Sequence, residues 1–260
     1  MDTDRNILLT LDLEEFDLPL EYGCSISPNE QMNITNEGMG KVIALLDKYD
    51  IKATFFVTSV YAQANPSVLK QVSSKHEIAS HSHSHSVFVR GDYEKSKHIL
   101  EEISQTQVKG FRMPLFGEVD FKELKRCGYI YDSSLNPTYI PGRYNNFSKP
   151  RNLYIEPITG LIIIPASVSP VIRFPLFWLS FKNIPFAIYL YLCKQTLNKD
   201  KYLHLYFHPW EFADIRSFKI PSYVKRQDGD LLIAKLEKLL VYLKKEGKFR
   251  TISEFLETRS

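Results

Sequence analysis

Short apolar runs alternate along the chain with longer stretches in which apolar residues recur every three or four positions. Residues 7–11 (ILLTL) are almost continuously apolar and predict a strand covered on both faces, as in a parallel sheet, with Asp12 at its C-terminal end. An irregular stretch with Pro19, Gly23 and Pro28 follows, and then 36–49 sets Met39, Val42, Leu46 and Tyr49 on one helical face. Residues 53–58 (ATFFVT) predict a second buried strand, 66–74 a helix and 77–79 a third strand that leads into a run of histidines. Asp92 has the chemistry of an N-cap for a helix reaching about Gln105, because its carboxylate can accept from free amides of the first turn. Residues 108–112 (VKGFR) read as a strand, 121–127 as a helix closed by Gly128, and 129–131 as a strand ending at Asp132. After a short apolar strand at 161–165, residues 174–196 read as helix in two pieces divided near Pro185. Residues 202–208 (YLHLYFH) alternate and end at His208. A last helix at 230–245 carries Leu232, Leu236, Leu239, Leu240 and Leu243, stops at Gly247, and leaves 249–252 as a final short strand.

Alternation of strands with helices favours an α/β fold with a parallel sheet and crossover helices, in one domain over residues 1–260. Asp12, His81, Arg112, Asp132 and His208 all fall where strands end. In barrels of this kind the C-terminal ends of the strands form the active face, so the pattern gathers these residues although the sequence scatters them.

Composition removes several alternatives. With 260 residues, 44% of them hydrophobic, the chain can bury a full core without disulfides or a structural metal. The net charge of +3 is spread among 33 basic and 30 acidic residues, so nucleic-acid binding is not expected. Cys24, Cys127 and Cys193 are odd in number and far apart, and read as reduced, buried thiols. The start, MDTDRNILLTLD, lacks the basic and apolar regions of a secretory leader, so a cytoplasmic location is expected. The most apolar stretch, 161–193, is broken by Arg173, Lys182 and four prolines and is too interrupted to span a bilayer.

The candidate chemistry centres on residues 76–86, HEIASHSHSHS. If this run begins a helical turn, His81 and His85 at i and i+4 share a face while His83 points elsewhere, which gives two metal ligands in need of a third. A solvated polar loop or a non-specific histidine cluster would read the same way, so this stretch alone does not decide. Asp12 and Glu14 point to one side of an extended chain, Leu13 and Glu15 to the other. On this geometry Glu14 is preferred over Glu15 as the third ligand, and His83 and His204 are expected not to bind metal.

Taken in order, LTLDLEEFD, ATFFVT, HEIASHSHSHS, GFRMPLFG, YDSSL and YFHPWEF resemble the polysaccharide deacetylase superfamily, the NodB homology or carbohydrate esterase family 4 domain. More closely, the chain is similar to the branch whose last motif reads HPWE. The resemblance implies a distorted (β/α) barrel of about seven parallel strands. It implies that His81 and His85 hold a divalent metal, zinc first, with cobalt, manganese or iron as alternatives. It further implies that Asp12 is the general base, Arg112 its holder, His208 the general acid and Asp132 the acid that orients His208. The family's first motif commonly has two adjacent aspartates, whereas Leu13 follows Asp12 here.

The residue types suit amide hydrolysis: two histidines and a carboxylate leave room for a water made acidic by a metal, and a poor amine leaving group needs an acid such as His208. A backbone N–H near Leu115 is expected to help hold the oxyanion, and Trp210 is either a substrate contact or a core side chain. The expected function is removal of an N-acetyl or other small N-acyl group from an amino sugar of a surface polysaccharide or its precursor. Hydrolysis of a small non-sugar amide or cyclic ureide, and non-catalytic saccharide binding, are the alternatives. The aromatic and basic mixture at 172–192 suits either peripheral contact with the inner face of a membrane or packing under barrel loops or in a homo-oligomer contact.

Overall fold

The computed structural model describes residues 5–259; residues 1–4, where the segment read as leaderless begins, and residue 260 lie outside them. In chain order the elements are β1 (Asn6–Leu13), α1 (Leu18–Glu21), α2 (Pro28–Tyr49), β2 (Thr54–Val57), α3 (Ser59–Ala64), α4 (Pro66–Ser73), β3 (Glu77–Ser80), α5 (Asp92–Ser104), β4 (Gly110–Phe111), α6 (Phe121–Arg126) and β5 (Tyr131–Asp132). They continue with β6 (Tyr139–Ile140), β7 (Tyr144–Asn145), β8 (Tyr154–Ile155), β9 (Ile162–Ile163), α7 (Trp178–Asn183), α8 (Phe186–Asp200), β10 (Tyr202–Phe207), α9 (Gly229–Glu246), β11 (Lys248–Phe249) and α10 (Ile252–Glu257). The sheet runs β10-β1-β2-β3-β4-β5-β9 in parallel; β8 adds antiparallel to β9, and β11 joins β1.

This curled sheet is the expected α/β, distorted-barrel architecture. The chain leaving β9 returns to β10 without forming a ladder: Ser167 N donates to His204 O (3.0 Å) and His204 N donates to Ser167 Oγ (2.9 Å). The gap is thus closed by side-chain and single backbone bonds, which satisfy groups that an open edge would leave unpaired.

Period-two alternation along β1 sets the layers. Ile7, Leu9, Leu11 and Leu13 join the large core beneath the helices. Leu8 points inward, with Phe56, Tyr131, Ile164 and, from α10, Ile252 and Phe255. Above that apolar layer come Thr10, then Asp12, so the barrel interior turns polar towards the C-terminal ends of its strands. Arg112, fully buried, marks the boundary, its guanidinium 3.9 Å from the centre of the Phe56 ring.

Helices α1 and α3 and the short strands β6, β7 and β8 are additions to the expected elements, and three of the expected ones are bounded differently by their caps. Helix α2 starts at Pro28 because Ser27 caps it, accepting from Glu30 N (3.2 Å), and proline suits the first helical position. Asp92 lies inside α5, and its carboxylate reaches back to accept from Val89 N (2.8 Å). The final strand stops at Phe249, since Thr251 and Glu254 form a reciprocal cap that opens α10.

Cys193 is buried, Cys24 and Cys127 partly so, and all three are free thiols. Among the described residues no helix is long and apolar enough to cross a membrane. In the aromatic stretch at 172–192, Phe181 and Tyr189 belong to the core and Phe177 and Trp178 line a cavity, while Tyr191 is exposed. Most of this aromatic content is therefore used in internal packing.

Candidate active site

At the polar end of the barrel, Glu14, His81 and His85 place three ligand atoms within 4.8 Å of one another. The two imidazoles do not meet on a helical turn, as their spacing suggested. His81 is the first residue past β3, and Ser82 turns the chain in the left-handed region (φ 70°). The carbonyls of Ser82 and His83 then accept from Ser59 N (3.1 Å) and Val60 N (2.9 Å), amides of the first turn of α3 that have no partner within their own helix. His83 faces away, its Nδ1 2.6 Å from Ser59 Oγ, and His204 sits in the barrel wall with Nδ1 3.0 Å from Pro165 O.

Both ligand histidines are oriented from behind. Nδ1 of His81 lies 2.9 Å from Arg112 O, and Nδ1 of His85 lies 2.9 Å from Asp17 Oδ1, so each ring turns Nε2 inward. These Nε2 atoms stand 3.1 and 3.3 Å from Glu14 Oε2. Trp210 holds the other carboxylate oxygen, donating from Nε1 to Glu14 Oε1 (3.0 Å). Trp210 is therefore neither only core nor a free platform: it is buried, stacks on His208 and fixes the carboxylate. Glu15 points elsewhere, to the Thr58 hydroxyl.

Burial by itself would raise the Glu14 carboxyl, but the surrounding His85, His208 and His81 rings outweigh it and hold the group well below the usual range. Burial likewise opposes charge on His85, yet Glu14 and Asp17 push its pKa up to about 10. The carboxylates gathered here favour positive charge beside them. Two imidazoles with prepared tautomers, one carboxylate and a supporting Asp17 fit a divalent metal of the zinc type.

Beside this triangle, Arg112 Nη1 donates to Asp12 Oδ1 (2.5 Å), leaving Oδ2 turned towards His208 Nε2 at 3.9 Å. The same Nε2 is 3.9 Å from Glu14 Oε1. Burial opposes a proton on His208, but Glu14, Glu211 and Asp12 together raise its pKa.

Asp132 does not orient His208. Its carboxylate instead accepts from Ser134 N (3.1 Å) and Ser134 Oγ (2.5 Å), on a second cavity of about 570 Å³. The acid on His208 is Glu211: its Oε1 accepts from His208 N (2.8 Å) and lies 3.0 Å from Nδ1. HPWE folds into a single 3-10 turn at Pro209–Phe212, and in such a turn an acid three residues on reaches back to its cap. That spacing was the available signal, and it escaped the sequence reading. Oε2 of Glu211 faces Lys182 Nζ at 3.5 Å, both residues being wholly buried. Burial lowers the Lys182 pKa, partly offset by Glu211 and Asp228.

Helix α2 seats both sides of the site. Thr35 Oγ1 donates to Glu14 O (2.8 Å), and a Cβ at Gly38 would come within 1.8 Å of Pro209 O. Leu115 also lines the cavity, half exposed and left-handed (φ 56°). Asp12, Glu14, His81, His85 and His208 form one floor of a cavity of about 310 Å³ whose walls include Phe116, Phe177, Trp178 and Tyr206.

Residues 28–129 match the polysaccharide deacetylase family. The resemblance to that family holds. The match contains His81, His85 and Arg112, while Asp12, Glu14 and the HPWE turn lie outside it. None of the curated proteins matches the chain. Among solved structures, the chain is similar to a provisionally named polysaccharide deacetylase of Mycobacterium smegmatis, with a TM-score of 0.68 and 17% identity over 99% of this chain and 91% of that one. It is similar to the PuuE allantoinase, with a TM-score of 0.66 and 16% identity over 98% and 90% of the two chains. It also resembles a mutant of BA3943, a CE4 family pseudoenzyme, with restored enzymatic activity, at a TM-score of 0.56 and 14% identity over 97% and 67%. Likenesses this distant establish the fold alone; the chemistry has to be argued from this chain's own residues.

Proposed function

We propose that the protein is a metal-dependent hydrolase that removes an N-acetyl or other small N-acyl group from an amino sugar of a surface polysaccharide or of its precursor, acting from the cytoplasmic side. One observation supports this most: a buried Glu14, His81 and His85 triangle with both histidine tautomers prepared, and Asp12 and His208 beside it on the same cavity.

A divalent ion held by Glu14, His81 and His85 would supply Lewis-acid activation of water and of the acyl carbonyl. Arg112 keeps one oxygen of Asp12 occupied, so Oδ2 would accept the proton of the attacking water. Leu115 lines the same cavity, and its N–H would help bind the developing oxyanion. His208, oriented through Nδ1 by Glu211, presents a protonated Nε2 to the departing amine. Trp210 keeps Glu14 in place as charge shifts during these steps.

The small cavity, with Phe116, Phe177, Trp178 and Tyr206 in its walls, also favours a second reading, hydrolysis of a small cyclic ureide. Metal content and acetate release from N-acetylglucosamine oligomers, alongside turnover of allantoin, separate the two. The expected result is one bound Zn2+ per chain and acetate release, with Asp12→Asn retaining metal and losing at least a hundredfold in kcat. Full activity in Asp12→Asn, or turnover of allantoin alone, refutes the deacetylase reading.

A further inference from the structure

We propose that the cavity accepts only the terminal residue of its substrate: one N-acylated sugar at the end of a chain or on a carrier, never the interior of a polymer. The inference rests on the deacetylase reading and adds the shape of the substrate to it.

An interior sugar has glycosidic bonds leaving from opposite sides of its ring, and therefore needs a groove open at two ends. A terminal sugar has one such bond and can be walled in on every other side. Four separate segments meet around this cavity. Asp17, Leu18, Glu21 and Tyr22, in and around α1, form one wall, and the β6–β7 hairpin contributes Ile140, Pro141, Arg143 and Tyr144. Phe177 to Leu179 form a third and Tyr223 with Val224 a fourth.

Neighbouring walls touch. Arg143 Nη2 reaches Glu21 Oε2 at 3.4 Å, joining residues 122 apart in sequence. Tyr22 lies against Tyr223, and burial first, then that neighbouring phenol, raises its pKa.

The hairpin is a fixed wall at its base. Asn136 Nδ2 donates to Tyr144 OH (3.0 Å), Thr138 Oγ1 donates to Arg173 O (2.8 Å), and Arg173 Nη1 donates to Pro137 O (3.3 Å) and Lys149 O (2.8 Å). Its tip is held more lightly, because the Arg143–Glu21 pair is exposed, and pairs of that kind contribute at most about 1 kcal/mol. At about 310 Å³ the cavity lies at the low end of the roughly 300–1,000 Å³ usual for small-molecule sites. It suits one acylated sugar against Trp178, Phe177 and Tyr206.

The test uses protein supplied with Zn2+ and N-acetylglucosamine oligomers of two to six residues, with acetate counted per chain and its position read by mass spectrometry. The wild type should release one acetate per oligomer, always from the same end, whatever the length. The triple variant Glu21→Ala, Ile140→Ala, Arg143→Ala, shown by its melting temperature to be folded, should release acetate from interior positions as well. Both tryptophans of the chain border the cavity, so acrylamide quenching of their fluorescence should rise about twofold in that variant. Several acetates per chain from the wild type overturn the inference and leave the deacetylase reading intact. Acetate from no oligomer overturns that reading, and the inference with it. A folded variant that keeps both the single acetate and the wild-type quenching shows that the walls do not select chain ends, and the inference falls.

Discussion

The ligand triangle and the HPWE turn meet side by side on the floor of one cavity and are held in different ways. The triangle is braced by groups distant in sequence: Arg112 O and Asp17 behind the two histidines, and Trp210 behind Glu14. His208, by contrast, is braced by its own turn, through Glu211 three residues on. A ligand set therefore tolerates little local change in any of several elements, whereas the acid can be rebuilt within four residues. The location of the partner acid is the freer variable of the two.

The sharpest way to break this contrast is at the triangle. His81→Ala, His85→Ala or Glu14→Gln should abolish stoichiometric metal and reduce activity to background, while Glu15→Gln, whose target bonds the Thr58 hydroxyl, keeps its metal. Elemental analysis of the purified variants checks this, and retained metal in all three ligand variants would falsify the assignment.

A smaller effect is expected at the turn. Glu211→Gln should lower kcat by about 10²–10⁴ with metal retained, because it weakens both the orientation and the protonation of His208. Asp132→Asn should change kcat by no more than about threefold. If the two rank the other way, Asp132 orients the acid after all during turnover.

The third test concerns stability alone. Burial raises the Asp132 pKa to about 6 from its ordinary 3.8. A carboxyl raised in this way costs the fold nothing while it is protonated in both states, below about pH 4. The cost grows as pH rises to 6 and is complete above that, at roughly 3 kcal/mol. Asp132→Asn should therefore match the wild type in denaturant midpoint near pH 4 and exceed it near pH 7. An equal midpoint at both pH values would show that the Ser134 bonds compensate fully.

Strand and helix order, and the ends of the strands that carry Asp12, His81, Arg112 and His208, were legible in the sequence because burial on two faces leaves a continuous apolar run. The choice of Glu14 over Glu15 was legible for a related reason, since alternation along β1 carries past its last residue. The histidine loop was not, because its path is set by bonds to α3 that local spacing cannot express. Asp132 was misplaced because position at a strand end fixes the layer a residue occupies but not its neighbour within that layer. The cavity wall at 139–145 carries no periodic signal: it is a short hairpin whose ties to the rest of the fold, through Thr138 to Arg173 and Arg143 to Glu21, join residues far apart in the chain.

Gly38 contributes no side chain and touches no substrate, yet backbone passes where its Cβ would be. In a saturation library scored for turnover, this position should be as intolerant as the metal ligands, with even alanine rejected. Its neighbours Glu37 and Gly40, which meet no such obstruction, should accept many residues. An intolerant glycine in the middle of a helix, with no polar group of its own to offer, would ordinarily be assigned to folding. Here it would report how closely α2 must approach the turn that carries the acid.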